Sequence, residues 1–319
     1  MLEIKIDNKN SGQRIDKLVR KVLPEASLSF IYKLFRKKDV KVNKHWVDIN
    51  YILQDGENVQ IYVTDSQLQS FQKDENLCKT STFSHQIVYE DENILVVNKP
   101  KNLLVHGDEK DKKHTLSNDV LNYLYAKGEY QPKSGFTPGP AHRIDRNTSG
   151  IVVFGKKIEV LEQLLTLFKE KDDIKKTYLA LVKGRVFDVG KIDAKLEKNE
   201  SKNIVFVSKT QNAKTALTLF EPQEVYKDST LLKVNILTGR THQIRVHMSY
   251  IGHPIVGDKK YGDIEFNKKF NTLYGIENQF LHAYSLKFGQ IDGILSYLSN
   301  KEFTAKLDQK LDNILKKLK

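Results

Sequence analysis

Apolar residues in the first 64 positions recur at two different spacings. Residues 15–23 follow the one-sided spacing of an amphipathic helix, and a second helix is expected to begin at Ser27 or Ser29, either of which can serve as an N-cap. Apolar and polar residues alternate within residues 40–63, which predicts short strands. We therefore expect residues 1–64 to form a small α/β module.

The next stretch, residues 65–83, shows neither spacing. It is polar and rich in Gln, Lys, Ser and Thr, a composition that is typical of a flexible linker. We predict that it tethers the N-terminal module to a second, larger domain formed by residues 84–319.

Short apolar runs of the strand type dominate this second domain. They lie at residues 94–97, 151–154, 178–182, 204–207, 231–236 and 244–246. Helical spacing is found at residues 116–125, 160–168 and 303–318. Because the strands lack regular βαβ spacing, the sequence predicts an α+β domain built on a mixed, mainly antiparallel sheet with flanking helices.

The charge of the chain indicates a polyanionic partner. Lys and Arg number 52 against 40 Asp and Glu, a net charge of +12, which attracts nucleic acid by long-range electrostatics and counterion release. Residues 14–45 concentrate this charge, with ten Lys or Arg and three Asp or Glu. A merely solvated basic face is the alternative, since basic runs are common on protein surfaces. The cations that we expect to contact nucleic acid are Arg14, Lys17, Lys33, Arg36, Lys37 and Lys38.

Other features of the sequence concern its cellular setting. The single cysteine, Cys78, can form neither an intramolecular disulfide nor a thiolate metal cage, so a reducing compartment is expected. No signal peptide is visible, and no apolar run approaches the roughly 20 residues that span a bilayer. We expect a cytoplasmic protein without a membrane segment. The sequence is silent on oligomeric state, for which a monomer is our expectation.

One aspartate in the segment 142–150, His-Arg-Ile-Asp-Arg-Asn-Thr-Ser-Gly, is placed like a catalytic carboxylate. Asp145 lies between two arginines, after a Pro-Gly-Pro turn and before the apolar run 151–154. Carboxylates in such charged surroundings serve catalysis, but they also serve structure. A structural ion pair in a loop is therefore the alternative interpretation.

Two further segments supply candidate partners for Asp145. On a strand, Tyr178 shares one face with Ala180 and Val182, so its phenol would point inward. A phenol held there can exchange a proton without carrying charge at neutral pH, although taken alone Tyr178 is more typical of a core aromatic. Arg245 could pair with the Asp145 carboxylate, keep it ionised and fix its direction.

The sequence carries no signature of a metal or a nucleotide cofactor. His242 and His247 would face opposite sides of a strand and would diverge by about 140° on a helix. His253 and His282 do not complete a recognised metal pattern. Neither a Gly-x-x-x-x-Gly-Lys-Ser/Thr loop nor a Gly-x-Gly-x-x-Gly turn after a strand occurs. We therefore expect no metal and no cofactor.

Together, these segments resemble the RluA-like pseudouridine synthases of large-subunit ribosomal RNA, and most of all their C-type branch. The similar segments cover essentially the whole chain and lie at residues 98–106, 142–150, 176–184, 239–247, 252–258 and 281–283. Three positions depart from the family pattern, with Ile144 in place of Leu and Lys101-Asn102 in place of a small residue and Gly. The basic module resembles the RNA-binding domain named after ribosomal protein S-four.

The resemblance implies site-specific isomerisation of uridine to pseudouridine in RNA, most of all in large-subunit ribosomal RNA, without a cofactor. Asp145 would be the catalytic group, either as nucleophile or as base, with Tyr178 and Arg245 beside it. His142 and Arg143 would fill the space left by an extruded uridine. The substrate-binding residues expected on this basis are Asn98, Lys99, His142, Arg143, Arg240, His242 and Gln243.

Two other functional classes are alternatives. One is a noncatalytic RNA-binding factor in ribosome assembly, which would have no reason to keep the anionic Asp145 facing a phosphate-rich ligand. The other is a hydrolase that uses Asp145 and His142 on a nucleoside or a phosphoester, for which the sequence offers no convincing metal site or phosphate loop.

Overall fold

The computed structural model describes residues 1–7, 10–24, 26–71, 83–107, 114–132, 136–169, 173–201 and 203–319. The described residues fall into two compact units, one formed by those up to residue 71 and the other by those from residue 83 onward. We call them the N-terminal unit and the C-terminal unit. Within these ranges, no helix is both long enough and apolar enough to cross a membrane.

The described part of the N-terminal unit contains a four-stranded sheet and three helices. The strands are β1 (Leu2–Lys5), β2 (Val40–Val42), β3 (His45–Trp46) and β4 (Asn58–Ile61), in the order β1-β4-β2-β3. The helices are α1 (Ile15–Val22), α2 (Leu28–Arg36) and α3 (Asp65–Phe71). Ser27 caps α2, because its hydroxyl accepts a hydrogen bond from the backbone N–H of Phe30. This confirms one of the two predicted N-caps.

Residues 65–71 were predicted to begin the flexible linker, and this prediction is wrong because they form α3. Leu68 and Phe71 pack against the core of the N-terminal unit, and the Phe71 and Phe30 ring centroids lie 4.5 Å apart. Burial of these apolar side chains offsets the entropic cost of ordering an otherwise polar segment. Residues 72–82 of the predicted linker lie outside the described residues, and its last residue, Phe83, contacts the ring of Tyr123 in the C-terminal unit.

The C-terminal unit is larger and richer in strands. Its strands are β5 (Gln86–Glu90), β6 (Ile94–Lys99), β7 (Gly139–Pro140), β8 (Ser149–Gly155), β9 (Ile174–Lys183), β10 (Gly190–Asp193), β11 (Leu196–Asn199), β12 (Ile204–Val207), β13 (Leu217–Val225), β14 (Ser229–Ile236), β15 (Leu281–Phe288) and β16 (Glu302–Thr304). Its helices are α4 (Leu116–Ala126), α5 (Ile158–Lys169), α6 (Gln243–Tyr250), α7 (Ile264–Tyr274) and α8 (Gln309–Leu318), with a 3₁₀ helix at Gly293–Leu298.

One large twisted sheet organises this unit. Its strands follow the order β10-β13-β14-β9-β15-β8-β6-β5, with β16 beside β15 and β7 beside β8, while β11 and β12 form a separate hairpin. Among the strands that the structure describes, β15 and β8 run parallel and every other neighbouring pair is antiparallel. This architecture confirms the predicted α+β class with a mainly antiparallel sheet and flanking helices.

Two apolar clusters hold the helices of the C-terminal unit to the sheet. The first joins β6, β8 and β15 to α5 and the 3₁₀ helix, and the second joins β9 and β14 to α7 and α8. Each fully buried Leu, Ile, Val or Phe side chain in them contributes about 1.5–3 kcal/mol. The central strands are therefore rigid supports for the loops that leave their ends.

Two sequence predictions in the C-terminal unit need correction. Residues 244–246 were predicted as a strand but belong to α6, in which every side chain from Gln243 to Met248 is buried. A helix buried on all sides lacks the one-sided spacing that identifies a helix in a sequence. At the C-terminus, Phe303 lies in β16 rather than in the predicted helix, and α8 begins only after Asp308, whose carboxylate caps it by accepting from the backbone N–H of Leu311.

Candidate active site

Asp145 lies on a tight turn that leads into β8. The backbone N–H of Thr148 donates to the carbonyl oxygen of Asp145 at 3.1 Å, which closes the turn of residues 145–148. The buried ammonium of Lys99 donates to three backbone carbonyl oxygens, one of which is that of Arg146 in this turn, at 3.0 Å. Burial lowers the pKa of Lys99 to about 7, whereas the nearby Asp145 carboxylate raises it. Lys99 thus anchors the turn that carries Asp145.

Arg245, on α6, binds two carboxylates at once. Its Nη1 donates to Oδ2 of Asp145 at 2.9 Å. Its Nε and Nη2 donate to the two oxygens of Asp258 at 2.7 and 2.9 Å, a bidentate arrangement. The side chain of Asp258 is 0% exposed and that of Asp145 is 27% exposed. The predicted Asp145–Arg245 contact is therefore present, but Asp145 is only partly buried and keeps a face toward the pocket.

The charges of this triad reinforce one another. Burial alone would lower the pKa of Arg245, but the hydrogen bonds and charges of Asp258 and Asp145 raise it above its ordinary value. Burial would likewise raise the pKa of Asp258, but Arg245 and two backbone N–H groups hold it below its ordinary value. The guanidinium is consequently a fixed positive charge, oriented by the buried Asp258 and directed at Asp145.

Gln243 fastens the first turn of α6 to the neighbouring strand. Its amide oxygen accepts from the hydroxyl of Thr238 at 2.7 Å and from the backbone N–H of Arg240 at 3.1 Å. Its amide nitrogen donates to the carbonyl of Leu217 and to the hydroxyl of Thr218, both at 3.0 Å. All four hydrogen-bonding positions of the amide point at protein groups, so Gln243 positions the helix that carries Arg245.

His242 lies between Asp145 and a tyrosine. Its backbone is left-handed, with φ of +54°, and its Nδ1 is 2.8 Å from the hydroxyl of Tyr261. Its Nε2 lies 3.9 Å from Oδ2 of Asp145. Burial lowers the pKa of His242 to about 4, although the Asp145 carboxylate raises it. The ring is therefore neutral near pH 7 and lies beside the carboxylate as a polar group rather than as a cation.

Tyr178 projects from β9 at the centre of the sheet. It is buried on the same strand face as Ala180 and Val182, which confirms its predicted inward direction. Burial and the negative charge of Asp145 raise the pKa of Tyr178. Its hydroxyl is consequently protonated at neutral pH and can donate a hydrogen bond or take part in a proton relay.

These groups share one small pocket of about 90 Å³. Its polar lining consists of Arg143, Asp145, Thr148, Tyr178, Arg240, His242, Gln243 and Arg245. Ile144, Ile236 and Leu281 add apolar surface. The hydroxyl of Thr148 is buried and has no hydrogen-bond partner among the described residues. The pocket thus combines a carboxylate, a fixed guanidinium and a phenol within apolar walls.

Three residues predicted to bind substrate do not line this pocket. Lys99 anchors the turn described above. The amide of Asn98 donates to the side chain of Gln86 and to the carbonyl of Lys306, so it joins chain segments instead of facing the pocket. His142 is the third of these residues.

His142 packs into the protein rather than toward the space of an extruded base. Its ring stacks on Phe168 with 4.3 Å between centroids, and its Nε2 accepts from the backbone N–H of Val153 at 3.2 Å. Burial lowers its pKa to about 3. A nitrogen that accepts this hydrogen bond carries no proton, and the ring is absent from the pocket lining. This geometry therefore gives no support to the predicted role of His142 in filling the space of an extruded uridine.

The histidines weighed in the sequence as metal ligands have other partners. The buried His247 ring contacts the hydroxyl of Thr218 and the carbonyl of Ala194, both at 2.9 Å. The buried His282 ring contacts the hydroxyl of Ser149 and the carbonyl of Ala305, also at 2.9 Å. In the ranges that the structure describes, no group of three His, Cys, Asp or Glu side chains is placed to hold a metal ion.

The cations predicted to contact RNA all lie in the N-terminal unit and are all exposed. They are Arg14, Lys17, Lys33, Arg36, Lys37 and Lys38. Arg14 is partly engaged, because its Nε donates to the buried carboxylate of Asp16 at 3.0 Å. Lys33, Arg36 and Lys37 extend from the last turn and C-cap of α2.

Two residues that complete the site, Asp258 and Tyr261, had no role predicted from the sequence. Asp258 follows Gly257 in a loop, and only its bidentate contact with Arg245 reveals its importance. Tyr261 contacts His242, and the guanidinium of Arg245 lies 5.1 Å from its ring centroid. Both residues follow α6 within a short loop. The available signal in the sequence was therefore a Gly-Asp pair and an aromatic residue shortly after the segment that carries Arg245.

The family departure at Lys101-Asn102 has a local explanation. Asn102 has φ of +64°, in the left-handed region, where Asn is among the best tolerated residues other than Gly. Its side-chain oxygen also accepts from the amide of Asn278 at 3.3 Å. The loop therefore keeps a backbone conformation that glycine would adopt without strain.

Comparison with known proteins assigns the chain to a family. Residues 93–250 match the family described as RNA pseudouridylate synthase. The chain is 36% identical over 318 residues to ribosomal large subunit pseudouridine synthase C of Vibrio parahaemolyticus, covering 98% of this chain and 95% of that protein. It is 38% identical over 322 residues to the protein of the same name from Haemophilus influenzae, covering 98% and 94%.

A solved structure supports the fold independently. Human RNA pseudouridylate synthase domain containing 4 superimposes with a TM-score of 0.59 at 23% identity, covering 76% of this chain and 96% of that one. At this identity the likeness concerns the fold alone. The family assignment rests on the two relatives that are similar over nearly the full length of the chain. The chain belongs to the RluA-like family of RNA pseudouridine synthases, enzymes that isomerise uridine in RNA.

Proposed function

We propose that this enzyme forms pseudouridine at specific positions of large-subunit ribosomal RNA, with Asp145 as its catalytic group and without a cofactor. The observation that carries the proposal is the Asp145 carboxylate, held at 2.9 Å by Arg245 in a pocket that Tyr178 also lines. The substrate class is supported by the names of the relatives from Vibrio parahaemolyticus and Haemophilus influenzae.

The reaction needs a carboxylate that is held in a fixed direction and remains accessible to the substrate. The bond between uracil nitrogen 1 and ribose carbon 1′ breaks, the base turns while bound, and carbon 5 bonds to carbon 1′. Carbon 5 then loses its proton and nitrogen 1 takes one up. Because no atom is gained or lost and no oxidation occurs, the chemistry requires no cofactor or energy source. Asp145 can attack the ribose or the ring as a nucleophile, or remove a ribose proton as a base.

Arg245 has a positioning role in this scheme. Its guanidinium is clamped by the buried Asp258, so it cannot swing away when Asp145 moves or reacts. It orients one carboxylate oxygen and leaves the rest of the group exposed toward the pocket. Such preorganised charge lowers the cost of forming a charged transition state because the protein dipoles are already in place.

Tyr178 is the proposed route for the proton that leaves carbon 5. Its hydroxyl is neutral, since burial and Asp145 raise its pKa. A neutral phenol can accept a proton only while it passes its own proton on, so Tyr178 acts as a relay rather than as a standing base. The apolar residues Ile236 and Leu281 line the same pocket as the Tyr178 ring.

Substrate entry requires the uridine to leave its stack, which costs a few kcal/mol. Arg143 is exposed and lines the pocket, so its planar guanidinium can stack in the space that the base leaves. Arg240 and His242 lie on the same lining and are proposed to contact the extruded nucleotide. Gln243 supports this contact surface indirectly, through the anchoring of α6.

The N-terminal unit is proposed to bind RNA as a domain of the ribosomal protein S-four type, spanning residues 1–64. The exposed cations on α1 and α2 and the net charge of the chain support this role. Residues 84–319 are proposed as the catalytic domain. In this division the basic unit supplies affinity and the C-terminal unit supplies chemistry.

The experiment that tests the proposal maps pseudouridine in large-subunit ribosomal RNA. Transcripts and partly assembled subunits are incubated with the native protein or with Asp145→Asn, then treated with carbodiimide and read by primer extension. We expect site-specific stops with the native protein and none with the variant. An absence of stops with both proteins on every substrate would favour a noncatalytic RNA-binding role in ribosome assembly instead.

A further inference from the structure

A basic and aromatic depression lies on the N-terminal unit, outside the pocket described above. It has a volume of about 430 Å³, and its lining includes Lys37, Lys38, Lys41, Lys44, Trp46 and Tyr62. These residues come from the end of α2, from the hairpin of β2 and β3, and from the residue after β4. We call this surface the Trp46 patch.

The aromatic rings of the Trp46 patch are unusually accessible. Trp46 is 58% exposed and Tyr62 is 41% exposed, although large aromatic side chains normally bury most of their surface. The ammonium of Lys38 lies 5.0 Å from the Trp46 ring centroid, and that of Lys41 lies 5.0 Å from the Tyr62 ring centroid. Each ring is thus held beside a cation while much of its surface remains open to a ligand.

The backbone places lysines where glycine would be favoured. Lys38 has φ of +61°, directly after the C-cap of α2. Asn43 and Lys44, with φ of +49° and +70°, form the two-residue connection between β2 and β3, in which Val42 pairs with His45. Both central residues have positive φ, as in a type I′ turn, whose second position favours Gly. The fold tolerates this strain and so directs two additional cations into the patch.

The charge of the patch is strongly one-sided. Four lysines line it, and Asp39 is the one acidic residue in its lining. In the part of the chain that the structure describes, none of these four lysines forms an ion pair with a carboxylate. Four like charges this close repel one another unless a polyanion neutralises them. Phosphates next to planar, stackable groups satisfy both the cations and the rings.

We infer that the Trp46 patch binds a single-stranded segment of RNA, with an unpaired base stacked on Trp46 and flanking phosphates on Lys37, Lys41 and Lys44. Aromatic stacking and a positively charged surface together are the usual means of binding single-stranded nucleic acid. This inference rests on the proposed RNA substrate and extends the RNA-binding surface beyond the cations of α1 and α2. The enzyme consequently selects substrates in which an unpaired stretch accompanies the target uridine.

The chain offers a direct probe, because Trp46 is its only tryptophan. We would titrate the full-length protein with a single-stranded oligoribonucleotide, with a duplex of the same length, and with an abasic strand that keeps the phosphates. Intrinsic tryptophan fluorescence reports stacking, and anisotropy of a labelled RNA reports total binding. The single strand should quench Trp46, whereas the duplex and the abasic strand should bind with little quenching.

Variants separate stacking from charge. Trp46→Ala should weaken binding of the single strand by about 5-fold or more, the usual effect of losing one stacked base. Trp46→Phe should restore much of the affinity because it keeps an aromatic ring. Phe187→Ala is the matched control, since it removes an aromatic ring that is 69% exposed in the C-terminal unit. It should leave the affinity unchanged.

Three outcomes would overturn the inference. Binding of the single strand without quenching, and with equal affinity for Trp46→Ala, would show that the base does not stack there. Equal quenching by the abasic strand would reduce the patch to a phosphate site. Equal quenching by polyglutamate would indicate an acidic protein partner instead.

Pseudouridine formation, assayed with the same protein preparation on large-subunit ribosomal RNA transcripts and partly assembled subunits, separates this inference from the proposed function. If pseudouridine forms but Trp46 does not respond, the inference fails and the proposed function stands. If Trp46 is quenched but no pseudouridine forms, the patch stands and the proposed function fails.

Discussion

Arg245 is the residue on which the geometry of the site depends, because it binds a buried and a partly exposed carboxylate together. Replacement by Met would leave Asp258 buried without its guanidinium. We expect Arg245→Met to lower the free energy of unfolding by about 3–5 kcal/mol, the usual cost of breaking a buried ion pair from one side, and to remove most activity. Urea denaturation monitored by circular dichroism measures the first effect, with the exposed Arg240→Met as control.

The loss of stability in Arg245→Met should depend on pH in a predictable direction. In the native protein Arg245 holds the pKa of Asp258 below the ordinary 3.8, so its stabilising contribution is present above pH 3.8 and is lost as the pH falls through the lower, folded value. In the variant, unpaired Asp258 takes up a proton more readily. The stability difference between the two proteins should therefore narrow on acidification toward pH 3.8, and a constant difference would contradict the account.

Tyr178 permits a test of the proton relay that leaves the fold intact. Tyr178→Phe keeps the buried ring and removes only the hydroxyl. We expect the single-turnover rate to fall by about 10²- to 10⁴-fold, the usual contribution of a positioned proton-transfer group, with RNA affinity unchanged. Tyr226→Phe, which removes another phenol of the C-terminal unit whose hydroxyl contacts Glu224, is the control. A Tyr178→Phe rate equal to the native rate would exclude the relay.

Among the secondary-structure elements, the junction of β8 and β15 brings the Asp145 turn to the centre of the sheet. This junction requires glycine at position 150, where φ is +116°. A Cβ at this position would overlap the backbone of Ala283 on β15. Gly150→Ala should destabilise the protein by more than the roughly 1–3 kcal/mol of an unfavourable backbone conformation. Gly252 also has positive φ but lies in open space. Gly252→Ala should therefore lower the stability only by the free energy of the unfavourable backbone conformation. Thermal unfolding of both variants gives the comparison, and equal costs would contradict it.

The secondary-structure elements also show which parts of the fold and the site could be predicted from the sequence. Buried strands such as β6 and β8 were predictable because short apolar runs rich in β-branched residues are typical of buried strands. Helix α6 was not, since burial on every side removes its periodicity. The Asp145–Arg245 contact followed from charge and family resemblance, whereas Asp258 and the anchoring role of Lys99 depend on distances between segments that no local pattern encodes. The packing of His142 against Phe168 was not predictable either, because a motif position says nothing about which way a ring points.

At the scale of the whole molecule, we expect the exposed cations of the N-terminal unit to determine the affinity for RNA. Neutralising Lys33, Arg36 and Lys37 together should lower the slope of log affinity against log salt by about 2–3, because each lost phosphate contact removes about 0.7–0.9. The rate at saturating RNA should remain close to native, since these residues lie in the N-terminal unit. Filter binding across a salt series measures the slope.

The control for that series changes the same charge elsewhere. Lys310, Lys316 and Lys317 are exposed on α8, and replacing them with Gln also removes three positive charges. This variant should keep the native salt slope. An equal fall in both variants would show that net charge alone, and not the surface of α2, determines the affinity for RNA.

The central claim is that Asp145 drives the isomerisation, and release of tritium from RNA labelled at uracil carbon 5 tests it most directly. Each pseudouridine formed expels that hydrogen into water, so the release counts turnovers without any assumption about the modified position. We predict steady release with the native protein and none above background with Asp145→Asn, although the variant binds the same RNA. Release by Asp145→Asn at the native rate would contradict it.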